Sequence, residues 1–100
     1  MAVHFVYILL SHQADRYYIG QTENTDRRLI EHNSHLYQES FTKVASDWVM
    51  VMSLTCTSKR QAIKIETHIK KNKSKKYVED CIRYPEICQK LLVKYSDENQ

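Results

Sequence analysis

The chain has 100 residues, of which 42% are hydrophobic and 27% charged, and its formal net charge is +3. This length supports one domain with one modest core, and the composition is typical of a soluble globular protein, which excludes a disordered or fibrous one. No apolar stretch is long enough to cross a bilayer, and no basic region precedes the first apolar run as in a signal peptide. We therefore expect a cytoplasmic domain that does not enter a membrane.

Three cysteines, Cys56, Cys81 and Cys88, are odd in number and far apart in the sequence. No C-x-x-C pair occurs, so neither a disulfide framework nor a zinc site is expected. We interpret them as reduced core or edge residues of a cytosolic protein.

The first elements in chain order form a predicted β-hairpin. His4–Leu10 is short, apolar and rich in β-forming residues, and Arg16–Gln21 is similar, so each predicts a strand. If Ser11–Ala14 is the loop, Tyr7 falls opposite Tyr18 and both project from the same face of the sheet. A one-residue change of register would put them on opposite faces.

A capped helix follows the hairpin. Asn24 or Thr25 is a suitable N-cap for a helix that ends near Asn33. Arg28 and His32 lie four residues apart and therefore share one face of this helix.

Between this helix and the next, the sequence predicts a loop and a third strand. Residues 35–46 are polar and irregular, which is typical of a surface loop, and Trp48–Thr55 is a predicted strand that places Val49 in the core. Leu29 and Ile30, on the preceding helix, are expected to point towards the sheet.

Three more helices are predicted in the second half of the chain. Ser58–Gln61 fits a capping box for a helix that reaches about Asn72. Its buried stripe consists of apolar residues at helical spacing, Ala62, Ile65 and Ile69. Glu66 lies beside that stripe, at the boundary between the helix and the sheet.

The last two helices begin at a cap and at a proline. Ser74 caps a helix that ends near Arg83, and Pro85 suits the first turn of the final one. The whole is an α/β (α+β) fold, with a small three-stranded antiparallel sheet flanked by helices. We expect a single domain over residues 1–95, with a C-terminal helical extension from about Ser74 and a frayed tail over residues 96–100.

Basic residues are concentrated after the third strand. Eight lysines and arginines lie between Lys59 and Lys76, and Glu66 is the one acid among them. A concentrated basic face favours a polyanionic partner, although a lysine-rich run on its own is more often a solvated helix face.

Short motifs carry a resemblance to a known family. The triplet Phe5–Tyr7 is followed by a second triplet, Tyr18–Gly20. Arg28 lies ten residues past the start of the second triplet, His32 lies four residues further, and Glu66 stands on a later helix. This ordered set resembles the GIY-YIG nuclease family, whose fold is similar to the one predicted above. The likeness is to small stand-alone members and to the N-terminal nuclease domain of the UvrC excinuclease.

The resemblance spans roughly residues 5–76 and departs from the family in two places. Phe5 stands where the family name has glycine, as in many small stand-alone members. Val78 stands where some members have an asparagine, a difference that concerns local support of the site more than its chemistry.

The resemblance implies a metal-dependent endonuclease that hydrolyses DNA phosphodiester bonds, in repair or recombination. Glu66 would hold Mg²⁺ (or Mn²⁺), since magnesium commonly uses one or two carboxylates and several waters. Arg28 would clamp a phosphate with its planar guanidinium. Tyr18 would be the general base, Tyr7 would support and orient the attacking water, and His32 would share the proton transfer.

Each of these residues also has an ordinary structural interpretation. Strand tyrosines usually pack in the sheet, with Tyr17 facing away from Tyr18 because neighbours on a strand alternate, and a lone arginine or histidine on a helix is usually a surface residue. Glu66 suits an ion pair with Lys70, four residues on. Gly20 indicates either a close approach of the strand to a ligand or a backbone, or a bulge at the strand end.

The expected partner is DNA, held by basic side chains: Arg27, Lys70, Lys71, Lys73, Lys75 and Lys76. With a single domain, target choice would come from this basic face, from a homodimer or from a partner protein. The alternatives are a nucleic-acid-binding module without catalysis and an adaptor that uses its basic face for acidic proteins.

Overall fold

The computed structural model describes residues 3–34, 45–72 and 74–97. Within them the chain forms three strands and four helices: β1 (His4–Ser11), β2 (Arg16–Thr22), α1 (Thr25–Asn33), β3 (Val49–Cys56), α2 (Lys59–Lys71), α3 (Lys75–Arg83) and α4 (Pro85–Lys94). The helices start where predicted because a side chain caps each of the first three: Asn24, Ser58 and Ser74. Lys73 and residues 35–44 of the predicted loop lie outside the described residues.

β1 is the central strand of the sheet. The strand order is β2-β1-β3 and both pairings are antiparallel, which confirms the predicted α+β fold. Tyr7 lies opposite Gly20 and Leu9 lies opposite Tyr18, so the predicted pairing of Tyr7 with Tyr18 is wrong by two residues. A shift by an even number keeps every side chain on its face, and the two tyrosines still project from the same side.

The hairpin loop explains the shift of register. Ser11 is still paired, with Arg16, so the loop starts one residue later than predicted, and Asp15 adopts a left-handed backbone at φ 52° within it. Side-chain bonds hold Ser11 in place: its hydroxyl donates to the Asp47 carboxylate at 2.5 Å and accepts from the Ala14 N–H at 2.9 Å.

The sheet has a core on each face. The large core joins Val6 and Ile8 of β1 to the buried sides of α2, α3 and α4. The small core contains Tyr7 and Leu9 of β1, and Leu29 of α1 packs against it. Consecutive residues of β1 therefore go to different cores, as the alternation of a strand requires.

Two apolar residues are more exposed than predicted. Ile30 is 63% exposed, because Arg28 and Leu29 occupy the side of α1 that faces the sheet and Ile30 follows on the outside. Val49 is 46% exposed because it is the first residue of an edge strand, which also contains a bulge at Val51. The predicted core positions of Ile30 and Val49 are therefore wrong.

Other predicted core positions are confirmed. The stripe of α2 is buried at Ala62, Ile65 and Ile69. The three cysteines are free and buried: Cys56, Cys81 and Cys88. Among the helices in the described ranges, none combines the length and the apolar character needed to cross a bilayer.

The C-terminal part of the chain holds α2 from a second side. The Gln61 amide donates to the Leu92 carbonyl at 3.1 Å, and His68 Nδ1 lies 2.9 Å from the Tyr95 hydroxyl. Asp97, which we expected in a frayed tail, accepts from the hydroxyl of the α2 N-cap at 2.9 Å. Residues 98–100 lie outside the described residues.

Candidate active site

α1 carries two of the predicted site residues on the side that it turns to the sheet. The helix begins at Asn24, whose side-chain oxygen accepts from the Arg27 N–H at 3.0 Å. From this start Arg28 and His32 come one turn apart. His32 is 2% exposed, whereas the Arg28 side chain is 30% exposed. The helix therefore buries the imidazole and leaves part of the guanidinium accessible to solvent.

The Tyr7 hydroxyl links these two side chains. It lies 2.9 Å from His32 Nε2 and accepts from Arg28 Nε at 3.4 Å. Tyr7 is fully buried, and burial raises its pKa far above the ordinary value. Arg28 opposes this rise, whereas Tyr18 and Glu66 add to it. Tyr7 therefore keeps its proton at neutral pH.

His32 is the other buried partner in the hydrogen bond with the Tyr7 hydroxyl. Burial, reinforced by the positive charge of Arg28, lowers its pKa to about 4. The imidazole is therefore neutral at neutral pH, and its lowered pKa makes it a weaker base than an ordinary histidine. The ordinary histidine pKa that the sequence suggests does not apply in this buried position.

Gly20 makes room for the Tyr7 ring. The two residues face each other across β1 and β2, and a Cβ atom on Gly20 would lie 2.5 Å from the Tyr7 hydroxyl oxygen and 2.6 Å from its Cζ. Both distances are well inside van der Waals contact, so a side chain here would displace the ring. The obstructed neighbour is thus a side chain, which is neither of the two reasons that the sequence suggested for this glycine.

Tyr18 lies beside this pair on the same face. Its ring centroid is 6.3 Å from that of Tyr7 and 4.8 Å from that of His32, and the side chain is half-buried against the small core. Tyr17 packs against the large core instead, which confirms that the neighbouring tyrosines face opposite ways. Of the two site phenols, Tyr18 is the one accessible to solvent.

α2 brings Glu66 and Lys70 to the edge of the sheet beside Tyr18. Lys70 Nζ lies 3.0 Å from Glu66 Oε2 and 5.8 Å from the centroid of the Tyr18 ring. The Glu66 side chain is 17% exposed, and its charge is one of those that raise the pKa of Tyr7. The ion pair that the sequence offered as an alternative for Glu66 is therefore formed, and it is formed inside the site.

Glu66 is the candidate ligand for a divalent cation. Over the described ranges, no three His, Cys, Asp or Glu side chains lie together as a metal centre built from protein ligands requires. A cation at Glu66 would have one protein carboxylate and would take its other ligands from water. Mg²⁺ and Mn²⁺ prefer oxygen ligands, and Mg²⁺ usually keeps several waters, so this half-buried carboxylate fits such a cation.

The predicted DNA-binding side chains lie on two parts of the surface. Arg27 is exposed, pairs with Glu23 at 3.7 Å, and lines with Arg28 an open cleft of about 440 Å³. Lys73 is outside the described residues. The other predicted lysines are exposed on α2 and α3: Lys70, Lys71, Lys75 and Lys76.

Two features of the site have no recognisable signal in the sequence. The Asn33 side chain donates to the Trp48 carbonyl at 2.9 Å and accepts from its N–H at 2.8 Å, which ties the end of α1 to the start of β3. The ammonium of Lys70 lies near the Tyr18 ring although the two residues are far apart in the chain. Spacing identifies neighbours on one helix or strand, but these pairs join different elements.

The arrangement supplies the groups that phosphodiester hydrolysis needs. Arg28 offers a cation for a phosphate, and Tyr18 offers a half-buried phenol. His32 offers a neutral imidazole, and Glu66 offers one carboxylate for a metal ion.

Comparison with protein families agrees with this geometry. The model of the GIY-YIG catalytic domain matches residues 3–78, a stretch that includes every site residue described above. Comparisons with curated proteins and with solved structures give no match. Members of the matched family are endonucleases and generally depend on a divalent metal. The chain therefore belongs to the GIY-YIG family of nucleases.

Proposed function

We propose that the protein is a metal-dependent endonuclease that cuts DNA phosphodiester bonds, in repair or recombination. The observation that supports this most is the meeting of three elements at one ring. β2 brings Tyr18, α1 brings His32 to 4.8 Å from it, and α2 brings Lys70 and its partner Glu66 to the same ring. Burying a neutral histidine and half-burying a carboxylate costs free energy. Residues that served the fold alone would not need to bear this cost.

Arg28 is the phosphate-binding group in this proposal. Its Nε–H donates to the Tyr7 hydroxyl, and its Nη1 lies 3.6 Å from the Glu31 carboxylate. These contacts fix the orientation of the guanidinium at the wall of the 440 Å³ cleft. A planar fork that is held in place binds phosphate oxygens with little further loss of freedom.

Tyr18 is the proposed general base. Its hydroxyl must lose a proton before it can take one from water, and the Lys70 ammonium lies 5.8 Å from the centroid of its ring. His32 is neutral and lies against the same ring, so it is placed to share in the proton transfer. Tyr7 is fully buried and contributes by holding His32 and Arg28 in position.

Glu66 is the proposed ligand for Mg²⁺ or Mn²⁺, which when bound would polarise the phosphate and stabilise the leaving oxygen. The protein itself holds this carboxylate, 17% exposed, 3.0 Å from the Lys70 ammonium that lies over the Tyr18 ring. Lys70, which pairs with Glu66 in the structure, is exposed enough to turn to the DNA backbone.

A second function fits one observation. The 3.0 Å pair between Lys70 and Glu66 satisfies the carboxylate within the protein, as expected for a basic helix that only binds nucleic acid. In that case the chain would be a nucleic-acid-binding module without catalysis, and Glu66 would serve to order Lys70.

The test is Glu66→Gln, assayed on labelled linear, flapped, forked and junction DNAs with magnesium or with EDTA. Glutamine keeps the size and nearly the helix propensity of glutamate but removes its charge. We expect the wild type to cut in magnesium only. The variant should cut roughly 10²- to 10³-fold more slowly, the effect of removing one electrostatic contact with the transition state. Its DNA affinity should hold or rise, since a basic surface loses a negative charge.

Glu79→Gln is the matched control, because Glu79 is exposed on α3 and the substitution makes the same change of charge. This control should cut at the wild-type rate. If Glu66→Gln also cuts at that rate, Glu66 is not the metal ligand. If the wild type binds DNA but cuts none of the substrates with any divalent metal, the binding-module function replaces the enzyme.

A further inference from the structure

A trough runs along the outer edge of β2 and starts at the candidate active site. It consists of two adjoining hollows of about 280 and 360 Å³. Tyr18 lines the first hollow, and Lys75 at the start of α3 lines the second. The two hollows share four lining residues: Arg16, Tyr17, Ile19 and Lys70. We refer to the pair of hollows as the β2 trough.

The floor of the β2 trough is aromatic and apolar. Tyr18 and Trp48 line the first hollow, while Ile69 and Val78 line the second. Trp48 is only 2% exposed, so the half-buried Tyr18 is the ring of this hollow that a base can cover. A flat nucleobase has a face that stacks on an aromatic ring or covers an apolar surface, whatever its sequence. The trough therefore offers contacts to bases in addition to contacts to a backbone.

The rim of the β2 trough is cationic. Arg16, Lys70 and Lys75 are all exposed. Asp15, at the far end, pairs with Lys75 at 3.3 Å, but both side chains are more than half exposed. Such a surface pair contributes little free energy, so a phosphate can replace this carboxylate at Lys75.

A cationic rim over an aromatic floor suits a single strand better than a duplex. In a duplex the bases are stacked inside the helix, so only the phosphates would meet the trough. A single strand offers phosphates to the rim and bases to the floor at the same time. The trough also continues directly from Tyr18, so a strand lying in it would lead to the proposed site of cleavage.

We propose that the β2 trough binds a single-stranded DNA segment next to the bond that is cut, with one base in the hollow lined by Tyr18 and Trp48. This inference rests on the proposed endonuclease function and gives it a substrate class. The preferred substrate is DNA in which an unpaired strand meets the cleavage point, as in a flap or a fork, rather than a continuous duplex.

Trp48 offers a spectroscopic test, because it is the one tryptophan of the chain and, although only 2% exposed, lies in the wall of the first hollow, where its emission responds to what fills that hollow. Titration of the full-length protein with oligothymidylate should quench the tryptophan fluorescence in a saturable way. A blunt duplex at the same phosphate concentration should bind without that change. Oligothymidylate should also compete with a flapped substrate for cleavage.

A pair of variants tests the rim. Arg16→Gln should flatten the dependence of log K on log salt for oligothymidylate by about 0.7, the value for one phosphate contact with a single strand. Arg83→Gln makes the same change at an exposed position of α3 outside the trough and should leave the slope unchanged.

Three results would overturn the inference: no competition between oligothymidylate and the flapped DNA for binding, equal quenching by the duplex, or equal salt slopes for Arg16→Gln and Arg83→Gln. Cleavage assays separate this failure from failure of the proposed function. If the wild type cuts duplex DNA while oligothymidylate fails these tests, the proposed endonuclease function is supported and single-strand binding in the β2 trough is contradicted. If oligothymidylate passes these tests but no DNA is cut, single-strand binding in the β2 trough is supported and the proposed endonuclease function is contradicted.

Discussion

The two faces of the central strand bury different chemistry. Val6 and Ile8 lie in the large core among apolar side chains and cysteines, whereas Tyr7 lies in the small core, bonded to His32 and to Arg28. All three residues of β1 are fully buried, so the alternation of the strand alone decides which of them serves the fold and which serves the site. A large apolar core on one face allows the other face to bury polar groups whose burial costs free energy.

The largest expected effect comes from a comparison of two tyrosines that pack against opposite cores. Tyr18→Phe removes the hydroxyl of the proposed base and keeps the ring, so cleavage should fall by roughly 10²- to 10⁴-fold, the usual contribution of a general base. Tyr77→Phe makes the same chemical change at a tyrosine of α3 that packs against the large core and lines neither hollow of the β2 trough, so it should cut at the wild-type rate. Single-turnover cleavage of labelled DNA measures both. Equal rates for the two variants would remove the base role from Tyr18 and direct attention to His32.

A buried titratable group in the small core should make stability depend on pH. The pKa of His32 is about 4 in the folded protein, below the value of about 6.5 in an unfolded chain. As the pH falls, the unfolded chain therefore takes up this proton first. The stabilisation is present above about pH 6.5 and is lost as the pH falls towards 4, by about 3 kcal/mol in all.

Urea unfolding at pH 7.5 and pH 5 measures this effect. The wild type should lose about 2 kcal/mol more than His32→Gln between the two values. His68, whose pKa is also lowered by burial, contributes to both proteins and cancels in the difference. His12→Gln, at an exposed position, should behave like the wild type. If wild type and His32→Gln lose the same stability, the imidazole is not held neutral by burial.

The next effect in size comes from the close contact between the Tyr7 ring and Gly20 on β2. Gly20→Ala places a methyl group where the Tyr7 hydroxyl and ring now lie, so the free energy of unfolding should fall by about 1–3 kcal/mol, as for other overpacked sites. Ser53→Ala is the control, because Ser53 lies opposite Tyr7 on the other side and is exposed. Its effect should stay within about 0.5 kcal/mol. Equal stability of the two variants in chemical denaturation would show that the Tyr7 ring can move without loss.

The smallest effect concerns the exposed lysines of α2 and α3. If roughly four lysines of α2 and α3 neutralise phosphates, log K for duplex DNA should fall with log salt at a slope of about −3 to −4. Replacing Lys71 and Lys76 with glutamine should flatten this slope by about 2. The same replacement of Arg83 and Lys90, both exposed on α3 and α4, should not change it. An unchanged slope in the first double variant would place the DNA on another surface.

The helices and strands were predictable from the sequence because the residues that favour them lie close together in the chain. Asn24 and Ser58 are caps whose side chains bond to backbone N–H groups three residues on, and this spacing is visible in the sequence. The exposure of Ile30 was not predictable in the same way. Leu29 and Ile30 are equally apolar, and only the rotation of α1 about its axis, set by packing against the sheet, decides which of them is buried.

The sequence predicted which residues form the candidate site, and the structure brings several of them together, but the sequence did not predict their environment. The register error left Tyr7 and Tyr18 on one face because it was an even number of residues. Nothing in the sequence separates Arg28 from Arg27 except the family resemblance, and the structure shows Arg28 on the sheet side of α1 and Arg27 exposed. The pKa of His32 depends on burial by several elements, and the spacing of residues in the sequence gives no information about that burial.

Asn33 holds the end of α1 to the start of β3 through two hydrogen bonds with the backbone of Trp48. The chain between these two residues therefore connects ends that are already fixed. The entropic cost of closing such a connection rises only slowly with its length. Insertions or deletions there act on the connection and leave in place the helix that carries Arg28 and His32. In evolutionary terms, the chain can diverge in length at this point while keeping one active site.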